Sequence, residues 1–356
     1  MRLRPIALFC AVFFFAAFAS AGASAENRPS LERSDAQALL LREYARTRGQ
    51  SLLEKLQGSM KEEPPCASQP SAEAARAAAL RLELHQVLRK PESAKAAREA
   101  LGCVQGGMPS ADDRGQGLGI SALALGAQVL DDEGLLSPAL DAGRRLRGSR
   151  FAAGKTPRAR AATAARCAAF LDLYEASFDP DWLDAAFASG AELLRAAKAL
   201  RVEGQSGEDA ALIVTDLLRL AQFSGRKDLR DAAEGVLRRA EPFLRKDAQA
   251  APGLRIAAQW AQSKPRQIII AGAAGDPLTQ EMLRLVRSRF LPHRVILLVS
   301  DEAARERLAA YMPFVHGARE RQGKATAYVC QNYACEMPTS ELGTLAQLLD
   351  SPEIRR

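Results

Sequence analysis

Leu123–Leu146 (LALGAQVLDDEGLLSPALDAGRRL), Leu171–Leu194 (LDLYEASFDPDWLDAAFASGAELL) and Leu217–Ala240 (LLRLAQFSGRKDLRDAAEGVLRRA) align without a gap. Each copy has an apolar stripe at helical spacing, a short polar break and a second stripe. Leu135, Leu183 and Leu229 occupy the same place in the three copies, a period of about 47 residues, or one helical hairpin with its return connection. One hairpin cannot bury its apolar face alone, whereas stacked copies line a continuous core. The repeat therefore predicts a mainly α protein built as a helical toroid or solenoid.

Residues 1–25 have the features of a secretory signal peptide. Arg2 and Arg4 precede an apolar run from Ile6 to Phe18, and Ala23-Ser24-Ala25 forms a small-residue cleavage site. The run is too short to span a bilayer, so the expectation is a periplasmic or secreted protein cleaved after Ala25, with no membrane span afterwards. Processing lowers the formal charge from +7 by two, to +5. The basic residues are interleaved with Asp and Glu and have few aromatic neighbours, which argues against a nucleic-acid groove. Five cysteines lie beyond residue 25, an odd number, so at least one thiol is unpaired within the chain. A short hairpin loop would place Cys330 opposite Cys335, the first disulfide candidate; Cys66 with Cys103 is the second. Cys167, beside Ala168 and Phe170, reads as a small buried hydrophobe.

In chain order, Leu31 to Leu56 carries a helical stripe broken near Gly49, and the prolines of Lys61 to Ser71 mark a loop. Ala72 to Leu88 is helical, and Pro91 opens another helix. Gly102 to Gly119 contains six glycines and reads as a long loop feeding the first repeat. Asp179-Pro180 is a helix start and Ser224-Gly225 a helix end. After Lys264 the composition changes. Gln267–Ala271 reads as a buried strand and Arg294–Val299 as a second strand, helices follow from Asp276-Pro277 and from Asp301, Ala325–Cys330 with Tyr333–Glu336 forms a hairpin, and Ser340–Leu349 is a last helix. The expected organisation is a signal peptide at 1–25, a helical-hairpin domain at 26–263 and a small α/β unit at 264–356 packed on it.

Ala325–Leu349 (ATAYVCQNYACEMPTSELGTLAQLL) resembles the ending of the spermatogenesis-associated, thioredoxin-domain-containing family, an "AYVC-x-N-x-x-C-x-x-P" phrase before a final helix. Gly119–Val129, Leu171–Leu183, Leu217–Ala221 and Arg266–Leu298 are similar to the same family, so the resemblance runs from about Asp112 to the end. It implies a partial (α/α) toroid of the six-hairpin glycosidase type, related in shape to N-acylglucosamine epimerases. The departures are specific. The family's thioredoxin-like domain has no counterpart here, and no C-x-x-C occurs, so no redox role carries over. The family's "DDK-x-x-x-x-WNGLM" is represented by Asp112-Asp113-Arg114-Gly115-Gln116-Gly117-Leu118-Gly119. Its acidic pair in the next helix falls near Thr163–Arg166, where no carboxylate stands, and its "GAEPSGNS" is reduced to Glu203–Asp209.

Glycoside hydrolysis uses two carboxyl groups roughly 5 to 10 Å apart, one of them kept protonated by its surroundings. The resemblance brings Asp112 or Asp113 together with Glu208 or Asp209 at one toroid mouth, and these four are the candidate catalytic residues. Their alternative role is helix capping and solvation of loop carboxylates. Asp172 and Glu175, three residues apart, share a helix face and read as structural. Gly272–Gly275 sits where a phosphate loop would, but Asp276 is placed to cap the same amides, so a tight strand-to-helix turn is the better reading. With three histidines, His85, His293 and His316, scattered along the chain, neither a metal site nor a Ser-His-acid trio is legible. Trp182 and Trp260 fit helix packing, with stacking on a sugar as the alternative. No cofactor is implied. The expectation is an exported, degenerate glycosidase-like protein that binds a carbohydrate or a protein partner without turnover. The alternatives are an active hydrolase or epimerase acting on sugars and a periplasmic helical scaffold.

Overall fold

The computed structural model describes residues 30–61, 71–149, 156–202, 207–246, 251–331 and 334–351. The signal-peptide stretch and Cys66 lie outside the described residues. Among those described, the chain is mainly helical, with fourteen α-helices and one four-stranded mixed sheet. None of these helices is long and apolar enough to cross a membrane.

The first ten helices come in pairs: α1 (Ser30–Thr47) with α2 (Gln50–Lys61), α3 (Ser71–Leu88) with α4 (Pro91–Gly107), α5 (Asp113–Leu130) with α6 (Glu133–Gly148), α7 (Pro157–Ser177) with α8 (Pro180–Ala199), and α9 (Gly207–Ser224) with α10 (Lys227–Lys246). Every pair turns in the same way. A single residue enters the left-handed region at the end of the first helix, and the residue after it precedes the second. The left-handed residues are Arg48, Arg89, Asp131, Phe178 and Gly225, with φ between 50° and 66°. The amides of Arg48, Arg89, Phe178 and Gly225 return to the carbonyl four residues back at 2.6–2.8 Å, which satisfies an otherwise orphaned helix-end acceptor. The second helices then start on capping side chains: Asp132 accepts from the Gly134 amide, and Asp179 from that of Asp181 ahead of Pro180. The threefold repeat legible in the sequence is thus the better-spelled part of a fivefold one.

The first helix of each pair packs on the first helix of the next: α1 on α3, α3 on α5, α5 on α7 and α7 on α9. An unpaired helix, α11 (Pro252–Gln262), packs on both α9 and α1. These odd-numbered helices meet closely because their facing residues are small. A Cβ on Gly117 would lie 2.6 Å from the Ala165 backbone, so only glycine allows α5 and α7 to approach this far. This corrects the expectation of a loop at Gly102–Gly119: most of it is helix, running to Gly107 in α4 and restarting at Asp113 in α5. Gly117 provides room for a neighbouring backbone rather than a turn, whereas Gly102, Gly106 and Gly107 have open space where a Cβ would stand.

β1 (Arg266–Ala271) pairs in parallel with β2 (Arg294–Val299) through α12 (Pro277–Arg287), and antiparallel with β3 (Thr326–Gln331), which carries the short β4 (Ala334–Cys335). β1 and the edge strand β2 are buried along their whole length because both faces are covered. Ile269, Ala271, Val295, Leu297 and Val299 join the helical core, whereas Ile268, Ile270, Ile296 and Leu298 pack under α12 and α14 (Leu342–Asp350). One further helix, α13 (Glu302–Ala309), follows β2. Cys330 and Cys335 are opposite each other in the β3–β4 register and form a disulfide. Cys103 is also oxidised. Cys167 is a free, buried thiol, as its apolar neighbours suggested.

Candidate functional site

The odd-numbered helices and the Arg289–Arg294 segment leading into β2 surround a cavity of about 270 Å³. α1, α3, α5, α7, α9 and α11 all contribute, and in α7 and α9 the charged side chains are set into otherwise apolar runs. In α9 the run Leu212–Ala221 is broken only by Thr215, Asp216 and Arg219; in α7 Asp172 and Glu175 interrupt Phe170–Ala176. A helix apolar on all sides is buried, and charges within it must find partners or pay a large desolvation cost.

Most of them do find partners. The Arg219 guanidinium donates to Asp172 Oδ1 at 2.7 Å and to Glu175 Oε2 at 3.3 Å. Burial works hardest against its charge, but Asp172 and Glu175 outweigh that and hold its pKa above the ordinary arginine value. Ser121 on α5 donates to the other Asp172 oxygen. Glu175 also accepts from the Ile296 amide at 2.9 Å and lies 3.6 Å from Arg294, so it anchors β2 to α7. On the opposite side, Arg42 makes a two-pronged contact with Glu83 at 3.1 and 3.2 Å, and Arg76 reaches Asp35 at 3.3 Å.

Asp216 does not find a partner. Its side chain is buried in the cavity wall, and neither carboxyl oxygen has a hydrogen-bond partner among the described residues. Burial pushes its pKa well above the usual carboxylate range, against the opposing pull of Arg219. Trp260 Nε1 and His293 Nε2, on residues of the same wall, are likewise buried without a partner. Their rings lie 5.4 Å apart. Burial, with Arg42 adding to it, lowers the His293 pKa to about 3, so the imidazole is neutral.

None of the four sequence-predicted candidates is among the residues lining this cavity. Asp112 caps α5, accepting from the Gly115 amide at 2.8 Å, and Asp113 is exposed in the first turn. Glu208 and Asp209, at the start of α9, share the Arg114 guanidinium at 3.1 and 3.6 Å. The helix starts of α5 and α9 therefore do meet, as the resemblance implied, but through an arginine. Burial raises the pKa of both Glu208 and Asp209, opposed by Arg114. Sequence reasoning passed over Asp216, Arg219, Asp35 and Arg76, and weighed His293 only for a metal site or a catalytic trio. The signal was present for the first two, as charges inside LIVTDLLRLA; for the others, nothing local distinguishes them from solvated residues. Trp182 packs on Phe170 at 5.8 Å, whereas Trp260 faces the cavity wall. Among the described residues no cluster of His, Cys, Asp and Glu has the arrangement of a metal site.

No family model matches the chain. Spermatogenesis-associated protein 20 of Homo sapiens is 31% identical to it over 201 residues, which is 50% of this chain and 25% of that protein. The Mus musculus protein of the same name is 30% identical with the same shares. The matched region thus spans about a quarter of the length of these curated relatives. Over half of its length, then, the chain is a distant homologue of spermatogenesis-associated protein 20, in keeping with the resemblance of its sequence to the C-terminal region of that family.

Proposed function

We propose that this chain is an exported carbohydrate-binding protein, an (α/α) toroid whose central cavity holds a small sugar without turning it over. The observation that carries the reading is the cavity itself, lined from α1, α3, α5, α7, α9 and α11 together. Two further features support it: the odd-numbered helices contact one another in cyclic order, with α11 between α9 and α1, and five hairpin turns repeat one geometry. In this reading α11 is the inner helix of a sixth, incomplete hairpin. The volume is near the lower end of small-molecule sites, roughly 300 to 1,000 Å³, which suits one sugar ring rather than a chain. Absence of turnover is supported by the ion pairs, because Asp35, Glu83, Asp172 and Glu175 are each engaged by an arginine. Export is supported by the signal-like stretch at 1–25 and by the Cys330–Cys335 disulfide, which suits an oxidising compartment.

The test is thermal-shift and calorimetric screening of a carbohydrate library. The filling variant Ala168→Trp, at the cavity wall, is expected to abolish any binding found. If no carbohydrate binds, the reading fails; N-terminal sequencing of protein recovered from the culture medium or periplasm tests export separately.

A second reading, an active sugar hydrolase or epimerase, is favoured by one observation. Glu208 and Asp209 are partly buried carboxyls with raised pKa values at the mouth formed by α5 and α9, a property of general acids. Turnover of a glycoside that is abolished by Asp113→Asn or Glu208→Gln would establish it in place of the first.

A further inference from the structure

Resting on the cavity reading above, the hydrogen-bonding state of the wall narrows the ligand. The wall's charged groups are matched to one another: Arg42 to Glu83, Arg76 to Asp35, Arg219 to Asp172 and Glu175, and Arg294 to Glu175. Arg289, also in the lining, is paired outward with Asp350 at 3.0 Å. An incoming anion or cation would have to break one of these pairs and leave a buried charge uncompensated, which is strongly unfavourable. The lining atoms left without partners are the Nε atoms of Arg42 and Arg76, whose guanidinia are otherwise engaged, and three groups of a different kind with no ion pair: the Asp216 carboxyl, the Trp260 indole N–H and His293 Nε2. Buried polar atoms in folded proteins nearly always have partners, so several unpartnered ones gathered on one cavity wall point to a bound molecule that supplies them. The indole is a donor, a neutral imidazole nitrogen is a donor or an acceptor according to its tautomer, and a carboxylic acid is both. Trp260 adds an aromatic face beside the imidazole ring.

We propose that Asp216, Trp260 and His293 are the recognition groups of the cavity and that they select an uncharged polyhydroxylated molecule, a neutral monosaccharide, over its acidic and phosphorylated counterparts. Hydroxyl groups meet this requirement because each both donates and accepts. The aromatic wall suits the apolar C–H face of a pyranose. Burial favours the un-ionised form of Asp216, which allows it to donate as well as accept.

Calorimetric titration of the full chain with glucose, galactose and mannose, and in parallel with glucuronic acid and glucose 6-phosphate, tests the proposal. At least one neutral hexose is expected to bind, with the charged compounds at least tenfold weaker. Asp216→Leu and Trp260→Phe are each expected to weaken the neutral ligand about tenfold, the effect of one good hydrogen bond. Melting curves of both variants verify that they are folded. If neutral hexoses bind but neither variant affects them, or if the charged compounds bind as well or better, the recognition proposal is overturned while the cavity reading stands. If nothing in either set binds, and the wider library is also silent, both fall.

Discussion

Replacing Asp216 by leucine is expected to make the protein more stable, although it removes the most deeply buried acid of the cavity. Asp216 is 1% exposed, and neither of its oxygens has a hydrogen-bond partner among the described residues. An unsatisfied buried polar group costs about 1–3 kcal/mol, and leucine of similar volume removes that cost while retaining the packing against α7 and α11. The variant does weaken the field at Arg219, but that guanidinium keeps Asp172 at 2.7 Å and Glu175 at 3.3 Å. The net expectation is a gain of about 2 kcal/mol near pH 7. The sign of its pH dependence follows from the raised pKa of Asp216. The folded state holds the proton more tightly than the unfolded chain, so the wild-type protein loses stability as pH rises from about 4, the unfolded value, until the folded value is passed. The variant lacks this loss. Urea unfolding of both proteins from pH 3.5 to 8 measures it. A stability difference that widens with pH is expected. A variant less stable than wild type by about 1 kcal/mol or more, or a difference that does not change with pH, would refute the description of Asp216 as an unpartnered acid held for a ligand.

Three further perturbations test the frame around the cavity. Arg219→Met leaves Asp172 without its cation and Glu175 with only Arg294 at 3.6 Å, and is expected to cost about 3–5 kcal/mol in urea unfolding. Gly117→Val forces a side chain into the Ala165 backbone; a loss of about 1–3 kcal/mol or more, read as a lower melting temperature, is expected. The Cys330→Ser, Cys335→Ser double variant opens a very short loop, and a loss of about 2 kcal/mol by the loop-entropy relation is expected under oxidising conditions and none under reducing ones.

The parts of this fold legible in advance were those decided within a few residues of chain. Asp179-Pro180 and Asp276-Pro277 announced helix starts because capping needs only a carboxylate and the next three amides, and both cap as read. The run QIIIA announced a buried strand and RVILLV a second strand. The pairing of Cys330 with Cys335 followed from a short hairpin. The glycines between Gly102 and Gly119 were misread because glycine has two uses that look alike in sequence: it permits a turn, and it permits close approach. Only the position of Ala165, almost fifty residues downstream, shows that Gly117 serves the second use.

The candidate site divides along the same line. Asp172 and Glu175 were legible as structural residues on one helix face, and the homologous region is recognisable by its phrases; Asp216 and Arg219, set among apolar residues in the same way, went unread. Which of those charges are matched, and that Asp216 is not, depends on side chains from helices far apart in the chain meeting across one cavity. The helical repeat, its turns and the strands follow from the order of the residues, because periodicity and capping are local. Tertiary structure alone decided that Arg114 takes up Glu208 and Asp209, and that Asp216, Trp260 and His293 share one wall, because burial and pairing are properties of the assembled helices.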